Sequence, residues 1–329
     1  MKKYFILGAA ALAMAACSND ESENIVDNRF DNNVINLSAQ VAGPSTRAGY
    51  DIQSTAFATG EAINVECTPV GGTLDSKIYT TDEASEGVNA LTIASNPFYW
   101  PSNGANVTLK AYYPSYVTSE TTTFTVSTDQ SGAGTDASTE SLDPTAGGYA
   151  DAEAARGYKG SDLMYSDQLT GTNAGSSSTT QGFTFTHALT KIIVKLSPGA
   201  GMDADAIAAC TVTLHAKKTA TIAAGVVSAA TGDVANITMG TGSDATNGIA
   251  AIIVPQTIDG SSTPQGFITV TSGGNSATYQ LSAETTFAAG TVYTYKLAVG
   301  LDGITLQSTS INNWTGTDEV DATANPLTI

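Results

Sequence analysis

The chain is short of charge. Only 13% of its 329 residues are charged, with 13 Lys and Arg against 31 Asp and Glu, for a net charge of −18. So few basic residues, with no run longer than two, argue against nucleic acid as a partner, since gripping a phosphate backbone takes arrays of Lys and Arg. Histidine and cysteine are scarcer still, at 2 and 3 residues. No CxxC or HExxH spacing occurs, which leaves too few soft ligands for a zinc site and implies no cofactor. Cys67 and Cys210 stand in separate strand-like runs. A disulfide between them would bridge two domains; the competing reading is two small buried apolar side chains. The strong helix formers Leu, Glu, Lys and Arg are thin. No segment beyond the N-terminus repeats its apolar residues every 3.6 positions.

What fills the chain instead is Thr, Ser, Gly, Ala and Asn, with 41% apolar residues. Few charges with many β-formers and turn-formers indicate an all-β protein rather than a disordered one. Apolar residues alternate over Ile63–Cys67, Val107–Tyr113, Ile192–Leu196, Cys210–His215, Gly266–Thr271 and Thr291–Val299. Short strands at this spacing, split by Gly and Pro, read as β-sandwiches. Asp129–Gly160, rich in Gly, Ala, Ser and Asp, reads as a long loop. Gly171–Gln181 reads as a Ser/Thr/Gly linker. That linker divides the body into an N-terminal domain over 48–181 and a C-terminal one over 182–329.

The first 50 residues have their own organisation. Lys2 and Lys3 precede an apolar stretch, Tyr4–Met14, too short to span a membrane stably. Met14-Ala15-Ala16-Cys17 resembles a bacterial lipobox, with Met14 where Leu is commoner. On that likeness 1–17 is a signal peptide and Cys17 carries lipid, anchoring the precursor in the outer membrane. The alternative is a plain secretory signal with an incidental cysteine. Segment 18–47 then holds a polar tether and one isolated strand, Val34–Ala42. Ile35, Leu37, Ala39 and Val41 lie on one face of it, and Asn36, Ser38 and Gln40 on the other. Nine such residues reach about 30 Å, enough to cross a sandwich.

No residues assemble into a catalytic pattern, and the chain reads as not an enzyme. His187 follows Phe183 and Phe185 in strand alternation, as a buried histidine would. His215 beside Lys217 and Lys218 reads as a solvated strand end. Asp203 and Asp205 read as loop carboxylates, without the context of a glycosidase pair. Trp100 and Trp314 read as core plugs, against a sugar-stacking alternative.

In order along the chain, a set of short pieces is similar to the fimbrillin family, the subunits of type V pili. They are the lipobox, Ser45-Thr46-Arg47-Ala48, Phe57…Gly60-Glu61, Tyr99-Trp100-Pro101, Ala111-Tyr112-Tyr113-Pro114, Ser161-Asp162-Leu163-Met164, Phe185-Thr186-His187-Ala188-Leu189, Val254-Pro255-Gln256-Thr257, Phe287-Ala288-Ala289-Gly290 and Ile311-Asn312-Asn313-Trp314. The resemblance implies two transthyretin-like β-sandwich domains in tandem and a place in a cell-surface fimbrium that serves adhesion or biofilm formation. It also implies an arginine-specific protease that removes the first strand, so that a strand of another fimbrial subunit takes its place.

Of the arginines, Arg29 precedes the strand and Arg156 falls in the long loop. Arg47, followed by Ala48, lies just past the strand among small residues and is the candidate cleavage point; the alternative is a solvated loop arginine. The residues that leave with the strand are Ile35, Leu37, Ala39 and Val41. The 15 residues after Trp314 alternate at Val320, Ala322 and Ala324, then at Leu327 and Ile329 past Pro326. They form a candidate donor strand, or else an ordinary edge strand of their own domain. A donor tail favours a stalk or tip subunit over an anchor. The competing function is a lipoprotein that stays anchored and binds a host or polysaccharide ligand as a monomer.

Overall fold

The computed structural model describes residues 33–42, 56–102, 104–132, 157–171, 179–223, 225–243, 248–314 and 320–322. The fold is all-β. The first strands in chain order are β1 (Leu37–Val41), β2 (Ala62–Pro69), β3 (Asp75–Thr81), β4 (Asn89–Thr92), β5 (Val107–Tyr113), β6 (Thr123–Thr125), β7 (Met164–Ser166), β8 (Leu169–Gly171) and β9 (Gln181–His187). There follow β10 (Thr190–Pro198), helix α1 (Ala204–Ala208), β11 (Thr211–Ala223), β12 (Val226–Thr241), β13 (Ile249–Ile253), β14 (Gln256–Asp259) and β15 (Gln265–Ser272). The last are β16 (Asn275–Leu281), β17 (Glu284–Phe287), β18 (Thr291–Gly300), β19 (Gly303–Asn313) and β20 (Val320–Ala322).

Eight strands form the first sheet, in the order β2-β3-β4-β1-β9-β7-β5-β8, and β2 also pairs with β5. The pairing therefore runs in a closed circuit from β2 through β3, β4, β1, β9, β7 and β5 back to β2. Strand alternation turns one side chain in two inward. The inward set, including Leu37, Val65, Leu109, Tyr113, Phe183 and Phe185, forms one core.

The second core lies between two further sheets, ordered β13-β10-β18-β19-β20 and β12-β11-β15-β16, with β6 pairing β11. Ile192 and Val194 of one sheet and Val212 and Leu214 of the other share it. Cys67 is buried in the first core and Cys210 in the second, and both thiols are free.

Four placements differ from the reading of the sequence. Gly182–His187, assigned there to the second domain, forms β9 with Gln181, pairs with β1 and β7 and sends Phe183 and Phe185 into the first core. In the other direction Thr123–Thr125 pairs with β11, and Phe124 and Val126 enter the second core. The halves thus exchange strands across the 181/182 division, because pairing partners are chosen by long-range packing that a Ser/Thr-rich stretch does not reveal. Asp203 is no loop carboxylate. It caps α1, its Oδ1 accepting from the Ala206 N–H at 2.8 Å. His215 is mid-strand in β11, with Nδ1 2.8 Å from Asn236 Oδ1 and Nε2 2.7 Å from Thr269 Oγ1.

Candidate functional site: the slot that holds the first strand

β1 is an interior strand. On one side it runs antiparallel to β4, with Leu37 opposite Leu91 and Ala39 opposite Asn89. On the other it runs parallel to β9, from Leu37 opposite Gln181 to Val41 opposite Phe185. The Gln181 N–H donates to the Asn36 carbonyl at 2.8 Å, and the Ala42 N–H donates to the Phe185 carbonyl at 2.7 Å. Ahead of the strand, Ile35 N–H donates to the Phe98 carbonyl at 2.9 Å and Trp100 N–H to the Asn33 carbonyl at 2.8 Å. Outside, Gln40 Nε2 donates to Thr184 Oγ1 at 3.0 Å.

All four apolar side chains named from the alternation point inward. Ile35, Leu37, Ala39 and Val41 are buried, and Ala39 has no exposure at all. Ala39 sits between Phe183 of β9 and Asn89 of β4, which are equally enclosed. Strands β4 and β9 do not pair with each other. Taking β1 away would leave a gap lined by an apolar floor and flanked by two unpaired edges.

Sequence reasoning missed how the chain is held on the far side of Arg47. The Asn89 amide brackets Phe57. Its Oδ1 accepts from Phe57 N–H at 3.0 Å, and its Nδ2 donates to the Phe57 carbonyl at 3.0 Å and the Asp82 carbonyl at 2.7 Å. The Phe57 ring meets Phe185 edge-on at 5.1 Å and Tyr113 at 5.4 Å. Thus Phe57 is fixed in the first core by contacts that do not involve β1. An asparagine in a strand is the only local signal of this clamp, and nothing nearby marks its partner 32 residues away.

Cys17, Arg47 and Ala48 lie outside the described residues, as do Ala324, Leu327 and Ile329. Val320–Ala322 form β20, antiparallel to β19 with Ile311 opposite Val320 and Thr309 opposite Ala322. The start of the candidate donor segment is therefore an edge strand of its own sheet.

Both tryptophans are buried. Trp314 stacks on His187 with ring centroids 3.8 Å apart and planes 4° from parallel, and Lys191 Nζ lies 5.5 Å from the Trp314 ring. The His187 Nδ1 is 2.8 Å from Asp162 Oδ1, both side chains enclosed. The cluster pins the seam between the two cores. In the first core, burial pushes the Cys67 thiol up to about 11, with Asp75 adding to the rise. Burial likewise pushes the Tyr79 hydroxyl up to about 12, against the opposing effect of its hydrogen bond with Phe98. Among the described residues no group of three His, Cys, Asp or Glu side chains could hold a metal ion.

The geometry describes an all-β protein whose distinctive site is a sheet position filled by a strand from far away in sequence. The same fold occurs in a candidate cell adhesion protein from Bacteroides uniformis, at 20% identity and a TM-score of 0.57, covering 86% of this chain and 98% of that one. It occurs again in one from Bacteroides ovatus, at 15% identity and a TM-score of 0.53, covering 87% and 99%. The tip fimbrial protein Mfa3 from Porphyromonas gingivalis aligns more loosely, at 10% identity and a TM-score of 0.46, over 85% and 100%. No curated protein sequence matches significantly.

The chain belongs to the fimbrillin-like family, whose model matches residues 46–314. Membership supports a fimbrial subunit at the cell surface, in contact with other subunits, and points to a structural rather than a catalytic protein. The match starts at Thr46, beside Arg47 and past the end of β1.

Proposed function

We propose that this protein is a stalk or tip subunit of a fimbrium that polymerises by strand exchange, supporting adhesion or biofilm formation. It is exported as a lipoprotein held by lipid on Cys17. An arginine-specific protease cuts between Arg47 and Ala48, the segment 18–47 leaves with β1, and an extended strand of another subunit takes the vacant position between β4 and β9. The observation that carries this reading is the insertion of β1. It lies between strands reached only after long stretches of chain, and its inward side chains complete a core otherwise built from residues past Arg47. A strand placed so can leave without breaking any other pairing, and strand addition can refill its place.

The test is to treat purified precursor with an arginine-specific protease and follow intact mass and unheated gel electrophoresis. The expected result is loss of the residues up to 47 together with SDS-resistant, heat-labile ladders. A product that keeps residues 18–47 and stays monomeric would overturn strand exchange and favour the anchored, monomeric lipoprotein.

A further inference from the structure

We infer that the slot is a size filter along the strand it accepts, and that its fitting occupant is an extended segment of a different chain rather than this chain's own tail. The inference rests on the reading above that β1 leaves.

Read parallel to β9, the four inward positions of the slot are filled by Ile35, Leu37, Ala39 and Val41, a sequence of large, large, small, large. The third position is the narrow one. Ala39 faces Phe183 and Asn89 with no exposed surface. One of these neighbours is not free to give way. Asn89 is tied by three hydrogen bonds to Phe57 and Asp82, and Phe57 is wedged against Phe185 and Tyr113. A side chain larger than Ala there must displace the clamp, and overpacked cores resist such insertions. The first two positions are wide, so a small residue in either leaves an unfilled cavity.

The tail fails this pattern in both directions. One parity reads Val320, Ala322, Ala324, Pro326, and the other Asp321, Thr323, Asn325, Leu327, Ile329. Neither contains large, large, small, large. Entered in reverse, the slot asks for Val, Ala, Leu, Ile in turn. Val320 and Ala322 would match, but Ala324 would leave the space of Leu37 empty; in the other parity Leu327 and Ile329 would match, but Asn325 would put a polar amide larger than Ala into the narrow position, and Pro326 has no N–H to give a flanking strand. Besides, Val320–Ala322 already pair with β19. The partner that fits therefore carries apolar residues at i, i+2, i+4 and i+6, with Ala or Gly at i+4, no Pro between them, and polar residues at the alternate positions. This chain then assembles with a second kind of subunit.

The experiment uses precursor cut by an arginine-specific protease, with the cut and the loss of β1 checked by intact mass. Three fluorescent peptides are titrated by anisotropy: the sequence 34–42, the same peptide with Ala39→Leu, and the sequence 318–329. The 34–42 peptide should bind, and each of the other two should bind at least tenfold more weakly. A Leu-bearing or tail peptide less than tenfold weaker overturns the inference. If mass shows that β1 stays, the strand-exchange reading fails separately, and the filter is read on the uncut chain instead. There Ala39→Leu should lower the melting temperature more than Val41→Leu does, and equal shifts overturn it.

Discussion

Truncating Leu37 should loosen β1 without unfolding the protein. Leu37 is 4% exposed and packs in the first core between its partners Leu91 and Gln181. Replacing a buried Leu by Ala costs about 2–5 kcal/mol, through lost transfer energy and the cavity left behind. β1 forms its backbone hydrogen bonds with β4, β9 and the Phe98–Trp100 stretch, while Phe57 is hydrogen-bonded by Asn89. The loss therefore falls mainly on retention of β1. At 1.4 kcal/mol per decade, even the lower figure raises the open population roughly 30-fold. Hydrogen exchange on the uncut precursor reads this directly. Amides of β9, the Gln181 N–H among them, should lose protection by about that factor in Leu37→Ala, and those of β15 and β16 in the second core should not change. Protection of β9 left unchanged, or lost equally in β15 and β16, would refute the reasoning that β1 is a separable element.

Other expectations concern the cut, the clamp, the core and the seam. Arg47→Ala precursor should resist the arginine-specific protease at this point and give no ladders; normal maturation of this variant would overturn the assignment of Arg47. Asn89→Ala leaves the Phe57 N–H and carbonyl without their buried partner, a loss of about 1–3 kcal/mol, and calorimetry should show a melting temperature lower by several degrees. Folding raises the Cys67 thiol from 9.0 to about 11 and the Tyr79 hydroxyl from 10.0 to about 12. The folded chain then holds protons that the unfolded chain gives up, so their contribution is complete below pH 9 and is lost as pH rises through 11 and 12. Melting temperatures taken from pH 8 to 12 should fall across that window, less steeply in Cys67→Ala. Trp314→Ala should cost about 3–5 kcal/mol, as deletion of a buried aromatic does, and should also raise exchange at His187 and Gly290.

The alternation from Ile35 to Val41 could be read from the chain alone because period two is a local signal, and the burial of all four side chains follows it. The all-β class was legible for the same reason. Which strands pair was not. Gln181–His187 follows a stretch of Ser, Thr and Gly that looks like a boundary, yet its Phe183 and Phe185 complete the first core. Thr123–Thr125 looks like one more strand of the first half and pairs with β11. β12, at 16 residues, has no local signal because much of its length is exposed and lacks a repeating apolar face. The Asn89–Phe57 clamp was invisible because a side-chain amide standing in for a strand neighbour leaves no pattern. The cleavage point rests on three arginines and their surroundings in the sequence, and Arg47 lies outside the described residues.

β9 ends at His187, and β10 begins at Thr190 in the second core. Hardly any chain separates the strand that borders the slot from an interior strand of the other sheet, where β10 lies parallel to β18 along nine residue pairs, Thr190–Pro198. Were another subunit's strand to take the slot as proposed, tension along it would pass sideways into β9 and onward into β10, with no slack segment to stretch between. Because the occupant, β9 and β10 are all engaged along their lengths, that pull shears rows of hydrogen bonds together instead of peeling them one by one. The Trp314–His187 stack sits at the joint of this line. Its rupture force, measured by pulling single filaments of wild type and Trp314→Ala, would report how firmly one subunit transmits strain to the next.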